Sequence, residues 1–173
     1  GKRERRILTS IYLDPVEEEK MNLRLLTRWR TIQRNEVRYK EYFLDDAEYV
    51  ILGFGTAGRV ALSAVRAARQ KGIKVGLLRP ITVSPFPYQA LDQLAGRVSG
   101  FLVVEMNMGQ MFDDVRLAVR GRVPVEFYGR TGGIVPFPDE ILGEIHRIAA
   151  GQWSVDADPR DSWQTRMASV IER

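Results

Sequence analysis

Residues 53–58 (Gly-Phe-Gly-Thr-Ala-Gly) have the spacing G-x-G-x-x-G, a pattern that can bind the phosphates of a dinucleotide. Glycines permit a tight strand-to-helix turn, and the amide groups at a helix N-terminus attract an anion. An NAD site also needs an acidic residue at the end of the second strand, where this chain has Arg79-Pro80. Gly53, Gly55 and Gly58 are therefore weak cofactor-binding candidates, and a turn that needs glycine for its geometry is the simpler explanation.

Polar residues with chemical potential also occur in the loops that follow other predicted strands. Glu105 could act as a general base or a metal ligand, whereas a carboxylate at a strand end more often caps a helix or pairs with an arginine. Arg79 and Arg130 could bind an anionic group, or they could pair with Glu105 or Asp113. The candidates for an interface or loop site are Arg79, Glu105, Asn107, Gln110 and Arg130.

Several kinds of chemistry are excluded by residue types that the chain lacks or nearly lacks. It contains no cysteine, which excludes disulfides, thiolate metal sites, iron–sulfur ligation and thiol nucleophiles. Its single histidine, His146, excludes a histidine-rich metal site and is expected to have a surface or structural role. We therefore predict neither a catalytic residue nor a metal ligand in this chain.

The elements that must position these loops alternate between short apolar strands and helices from residue 49 onward. The predicted strands are residues 49–52, 73–78, 101–104 and 125–128, and the predicted helices are 57–70, 88–95, 109–120 and 139–149. This alternation favours an α/β fold with a mostly parallel sheet between two helix layers. Ligand sites in such sheets lie beyond the carboxyl ends of the strands, which is where the candidate loops occur.

The first quarter of the chain has a different pattern. Residues 7–13 read as a short strand, and Asp14-Pro15 is typical of a helix start, followed by a helix to the mid-30s or beyond. Its apolar stripe is formed by Leu25, Trp29, Ile32, Tyr39 and Phe43, and another face carries Arg24, Arg28, Arg30, Arg34 and Arg38. We divide the chain into a connecting segment (1–44), an α/β domain (45–151) and a polar tail (152–173) anchored by Trp153 and Trp163.

The net charge of +4 arises entirely in the first segment. Residues 1–44 contain 11 basic and 7 acidic side chains, whereas residues 45–173 contain 15 of each. A nucleic-acid-binding module is one hypothesis for the arginine-rich helix, and a surface that faces solvent or another subunit is the simpler one. No run of about 18 apolar residues or signal peptide is visible, and because the chain begins with Gly1 we expect a piece of a longer protein.

Three ordered motifs resemble the alpha-type subunit of 2-oxoacid:ferredoxin oxidoreductases. They are residues 78–87 (Leu-Arg-Pro-Ile-Thr-Val-Ser-Pro-Phe-Pro), residues 103–111 (Val-Val-Glu-Met-Asn-Met-Gly-Gln-Met) together with 114–119, and residues 124–133 (Pro-Val-Glu-Phe-Tyr-Gly-Arg-Thr-Gly-Gly). The resemblance covers residues 48–145, and residues 36–48 are similar to the lead-in of the 2-ketoisovalerate and 2-oxoglutarate branches.

The resemblance implies a transketolase C-terminal-like domain, a three-layer sandwich around a five-stranded sheet with one antiparallel edge strand that residues 7–13 could supply. It also implies a cytoplasmic complex that uses thiamine diphosphate, iron–sulfur clusters and coenzyme A. The implied partners are beta and gamma or delta subunits and ferredoxin, without nucleic acid or membrane. The diphosphate-binding motif of the family belongs to its beta-type subunit and is absent here, so the resemblance implies a role in assembly and no cofactor bound by this chain.

A stand-alone NAD(P)-binding Rossmann-type domain is the alternative to this interpretation. It rests on residues 53–58 alone, whereas the three motifs extend over most of the α/β region.

Overall fold

A computed structural model of the chain describes residues 11–171. The chain divides into two compact units, residues 1–36 and residues 37–173. The first unit contains helix α1 (Pro15–Asn35). The side chain of Asp14 accepts a hydrogen bond from the amide of Val16 at 2.9 Å, and Pro15 occupies the first turn. The predicted start of this helix is therefore confirmed, since both residues perform the capping roles expected from their types.

The second unit is built on a five-stranded sheet with the order β1-β3-β2-β4-β5. Its strands are β1 (Tyr39–Tyr42), β2 (Tyr49–Gly53), β3 (Val75–Pro80), β4 (Gly100–Glu105) and β5 (Val125–Gly129). Its helices are α2 (Gly55–Gln70), α3 (Tyr88–Leu94), α4 (Gln110–Val119), α5 (Pro138–Ala149) and α6 (Pro159–Ile171). Strand β1 is antiparallel to β3, and the other pairs are parallel. The mostly parallel five-stranded sheet with one antiparallel edge strand is confirmed.

Helices cover the sheet on both faces. Helix α2 packs with α5, and α3 packs with α4. The crossover from β2 to β3 runs in one direction along the sheet, whereas those from β3 to β4 and from β4 to β5 run in the other. Because such crossovers are right-handed, α2 lies on the opposite face from α3 and α4. All six residues of β4 are buried, as expected for a central strand that is covered on both sides.

The edge strand differs from the prediction at residues 7–13. Of that segment only 11–13 are described, and they form no strand, while residues 7–10 lie outside the described part of the chain. Helix α1 ends at Asn35, so the continuation of its apolar stripe to Tyr39 and Phe43 is wrong. Residues 39–42 instead pair with β3, and the carbonyl of Arg38 accepts hydrogen bonds from the amides of Ile81 and Thr82. The second compact unit begins at Val37 and includes β1.

The segment that we described as a polar tail contains helix α6, which packs against β5. The indole N–H of Trp163 donates to the carbonyl of Gly129 at 3.1 Å, and its ring meets that of Phe127 edge-on at 5.0 Å. One residue before Phe127, the buried carboxylate of Glu126 forms an ion pair with the guanidinium of Arg147 at 2.7 Å. Burial opposes the charge of Arg147, but the carboxylates of Glu144 and Glu126 outweigh burial and raise its pKa.

The turn from β2 into α2 brings two glycines into close contact. A Cβ atom added to Gly53 would lie 2.7 Å from the Cα of Gly58, and a Cβ on Gly58 would overlap the carbonyl oxygen of Gly53. Gly55, between them, has a φ of +57°, which favours glycine. The geometry of the turn therefore accounts for all three glycines of the motif.

We expect Gly58→Ala to lower the free energy of unfolding by about 2 kcal/mol or more, because the new methyl group must displace backbone. The matched control is Gly143→Ala in α5, where a Cβ meets nothing within 4 Å. That change should raise the free energy of unfolding by about 0.5–1 kcal/mol, since alanine favours a helix. Denaturant unfolding of both variants measures the difference, and equal stabilities would contradict the close contact.

Candidate functional site

A cavity of about 650 Å³ lies beyond the carboxyl ends of β2 and β4. These neighbouring strands lead into crossovers that run in opposite directions, to β3 and to β5, so a crevice opens between them. We call it the switch-point cavity. Its lining residues are Phe54, Gly55, Thr56, Ala57, Val83, Phe86, Val104, Glu105, Met106, Asn107, Gln110, Met111 and Asp114.

The side chains of Glu105, the last residue of β4, and Asn107, in the loop that follows, hold the start of helix α4. The carboxylate of Glu105 accepts hydrogen bonds from the amides of Met111 at 3.0 Å and Phe112 at 2.8 Å. The side-chain oxygen of Asn107 accepts from the amides of Gly109 at 2.8 Å and Gln110 at 3.1 Å. Four consecutive amide groups, which a helix start leaves without backbone partners, are thereby satisfied.

This arrangement bears on the roles that the sequence left open for Glu105. Both of its carboxylate oxygens already accept hydrogen bonds, and only 5% of the residue is exposed. Each oxygen is held by a backbone amide at the start of α4, where a carboxylate is electrostatically favourable. The geometry therefore supports a helix-capping role for Glu105.

Asp114, another polar residue of the lining, is also held by a local contact. Tyr88 donates its phenol proton to Asp114 at 2.6 Å. This hydrogen bond, assisted by partial burial and the nearby negative charge, raises the pKa of Tyr88 to about 12. The phenol is thus neutral at physiological pH, and the rest of the lining is mainly apolar. Glu105, Asn107 and Asp114 thus hold neighbouring groups of the protein in place, which suits the cavity to packing.

The predicted site residues do not all come together. Gly55, Glu105, Asn107 and Gln110 line the switch-point cavity, while Gly53 and Gly58 form the turn beneath it. The side chain of Arg79 lies against Gly58, and its Nε is buried without a hydrogen-bond partner among the described residues.

Arg130 lines a second cavity of about 320 Å³ between the β5–α5 loop and α6. One of its guanidinium nitrogens lies 3.2 Å from a carboxylate oxygen of Glu140, in an ion pair whose angle is not that of a hydrogen bond. Burial, followed by the nearby charge of Glu140, raises the pKa of the adjacent Tyr128. Asp113 pairs with Arg160 at 3.1 Å, so neither arginine forms the pairs considered from the sequence.

Other residues of the cavity have weaker sequence signals. Val83 and Phe86 belong to the proline-rich loop after β3. The rule that ligand sites lie beyond the carboxyl ends of the strands does point to this loop. Phe54 and Thr56 are the variable positions of the glycine motif, and Asp114 has no local signal that separates it from other helix carboxylates. Its position opposite Tyr88 depends on the packing of α3 against α4.

The donor set does not fit a resident metal or iron–sulfur cluster. The chain has no cysteine, and residues 11–171 contain no group of three or more metal-ligating side chains. In the same described range, no helix combines the length and apolar character needed to cross a bilayer.

Comparison with known proteins places the fold and the loops in a family. Residues 47–141 match the model of the pyruvate:ferredoxin oxidoreductase core domain II. The chain is 45% identical over 151 residues to ketoisovalerate oxidoreductase subunit VorB of Methanothermobacter thermautotrophicus, a match that covers 86% of this chain and 43% of that subunit. It is 33% identical over 132 residues to 2-oxoglutarate synthase subunit KorA of Methanothermobacter marburgensis, covering 76% and 35% of the two chains. The chain thus spans less than half the length of these relatives.

Solved structures show the same fold at low sequence identity. The 2-oxoglutarate:ferredoxin oxidoreductase from Magnetococcus marinus superposes with a TM-score of 0.67 at 18% identity, covering 80% of this chain and 24% of that chain. A split-gene transketolase superposes with a TM-score of 0.51 at 16% identity, covering 66% and 41%. The transketolase C-terminal-like fold is confirmed.

These findings support the resemblance found in the three motifs and give no support to a stand-alone NAD(P)-binding domain. The chain belongs to the pyruvate:ferredoxin oxidoreductase core domain II family, and its homologues are subunits of 2-oxoacid:ferredoxin oxidoreductases.

Proposed function

We propose that this chain is the C-terminal domain of the alpha subunit of a thiamine-diphosphate-dependent 2-oxoacid:ferredoxin oxidoreductase. The whole complex would convert a 2-oxoacid to an acyl-CoA and pass the electrons to ferredoxin. Thiamine diphosphate, iron–sulfur clusters and coenzyme A would be bound by other domains and subunits. The identity of 45% to a ketoisovalerate oxidoreductase subunit supports a substrate of that branched-chain class.

The role of this chain within the complex is assembly. The observation that carries this proposal is the lack of charge in the loops at the carboxyl end of the sheet. Residues 53–58, 80–91, 106–112 and 131–138 contain no Asp, Glu, Lys or Arg, although 28% of the chain is charged. We call the surface formed by these loops the carboxyl-end surface.

The carboxyl-end surface also exposes large apolar side chains. Nine of them are exposed here: Phe54, Ile81, Val83, Tyr88, Met106, Met108, Ile134, Val135 and Phe137. In the rest of the described second unit the exposed large apolar residues are Tyr39, Phe43, Leu117 and Val155. Depletion of charge with exposure of Met and aromatic residues is typical of the buried core of a protein interface. The switch-point cavity opens within this surface and would receive side chains of the neighbouring domain or subunit.

The proposed partners are the beta and gamma or delta subunits, with ferredoxin as the electron acceptor. An apolar interface of this kind suits a permanent oligomer rather than a transient encounter. The proposed location is the cytoplasm. The region from residue 45 onward is neutral, with 15 basic and 15 acidic residues, and gives no support to nucleic-acid binding by the α/β domain.

The proposal is tested by expressing the subunit that carries this chain together with its candidate partner subunits. The purified complex should reduce ferredoxin in the presence of coenzyme A and ketoisovalerate, with 2-oxoglutarate as the comparison substrate. The chain alone should be inactive. An intact complex that oxidises no 2-oxoacid would contradict the proposed function.

We expect Met108→Glu to prevent stable assembly, because the change places a charge in the centre of the carboxyl-end surface. Met108 is 58% exposed, so the substitution should leave the fold of the isolated chain intact. The matched control is Leu117→Glu on α4, which is 67% exposed and lies outside this surface. Size-exclusion chromatography with light scattering measures assembly, and wild-type assembly of Met108→Glu would refute the role of the surface.

Glu105→Gln distinguishes a capping role from a reacting one. The amide is a weaker and only single-oxygen acceptor, so the free energy of unfolding should fall by about 1–3 kcal/mol. Turnover per assembled complex should stay within about tenfold of wild type, whereas loss of a general base costs about 100-fold or more. A large loss of turnover in a complex that assembles normally would show that Glu105 takes part in the chemistry.

A further inference from the structure

Helix α1 has an apolar face whose side chains are not buried in the described part of the chain. Met21, Leu25, Trp29 and Ile32 follow one another at spacings of four, four and three residues, so they share one side of the helix. None of the residues of α1 is buried, and Leu25 and Trp29 are 46% and 39% exposed. The stability of a helix in a protein comes mostly from packing of such an apolar face rather than from intrinsic helix propensity.

The charge of α1 is unequally distributed along and around the helix. Residues 20–35 contain Lys20 and four arginines but no acidic residue. Arg24 and Arg28 are four residues apart and border one margin of the apolar face, whereas Arg30 and Arg34 lie on the opposite side. A complementary surface therefore needs an apolar groove with carboxylates along one margin.

The start of the helix argues against a phosphate-bearing partner. Its first turn carries Glu17 and Glu18, and Glu18 falls on the same side as Leu25. A lipid headgroup layer or a nucleic-acid backbone presents continuous negative charge and would repel these residues. A folded protein can instead place carboxylates opposite the arginines and leave the first turn in water.

We infer that α1 is a docking helix for an acidic protein surface, namely an apolar groove with a carboxylate-rich margin on another subunit of the same oxidoreductase. The inference rests on the proposed function for the identity of the complex. It adds a second interface, distinct in chemistry from the uncharged carboxyl-end surface. Trp29 and Leu25 supply the buried contact, and Arg24 and Arg28 determine the orientation.

Backbone hydrogen exchange of the assembled complex tests this inference. In the isolated chain, amides of residues 23–32 should exchange rapidly, because no side chain of α1 is buried. Addition of the partner subunits should slow their exchange by at least about tenfold. The double variant Arg24→Glu/Arg28→Glu should lose most of this protection, and the loss should resemble that of the wild type at high salt.

The matched control is Arg30→Glu/Arg34→Glu, which changes the net charge equally on the opposite side of the helix. This variant should keep the protection of the wild type. Equal weakening by both double variants would overturn the inference, because it would indicate unspecific attraction. Unchanged exchange of α1 in a complex that assembles normally would also overturn it and leave the proposed function intact.

Other occupants of the face are tested with the purified chain alone. Protection of α1 by vesicles of phosphatidylglycerol and phosphatidylcholine, by duplex DNA, or by raising the concentration of the chain would each overturn the inference. Failure of the wild-type subunit to assemble with any partner would overturn both this inference and the proposed function.

Discussion

The connection from strand β4 to helix α4 depends on side-chain acceptors that satisfy the backbone amides at the start of α4. The hydrogen bonds of the Met111 and Phe112 amides are buried, so water cannot replace their acceptor, and an unsatisfied buried amide is costly. Glu105 and Asn107 provide the acceptors. With these hydrogen bonds formed, the loop residues 106–109 have little conformational freedom. The loop then directs Met106 and Met108 outward, so the capping network also sets the composition of the carboxyl-end surface.

The parallel part of the sheet was predictable because its strands are short apolar runs separated by helices that end at glycine. The edge strand was not, and the reason is physical. Three of the four residues of β1 are exposed, so the strand shows no alternation, and Tyr39 and Phe43 happen to continue the spacing of the preceding helix. β1 forms a strand because its backbone pairs with that of β3, which lies about 40 residues further along the chain.

The place of the candidate site follows from a general rule about strand ends, but its chemistry required the tertiary structure. Glu105 has the same local sequence whether it binds a metal or caps a helix, and only the position of the Met111 and Phe112 amides separates the two. The association of Tyr88 with Asp114 depends likewise on the packing of α3 against α4. The distribution of net charge, by contrast, needs no tertiary structure, because its division between residues 1–44 and the remainder is visible in the sequence alone.

The direction of β1 has a consequence for how the polypeptide is threaded. Tyr39 pairs with Pro80 and Tyr42 with Leu77, so the chain enters the sheet at the end where the parallel strands finish. A parallel first strand would have brought the chain in at the opposite end, about 15–20 Å away for strands of five or six residues. The antiparallel direction of the four-residue strand β1 thus determines at which end of the sheet the chain enters the second unit. Val37, the first residue of the second unit, therefore lies at the carboxyl end of the sheet, the end at which the switch-point cavity opens.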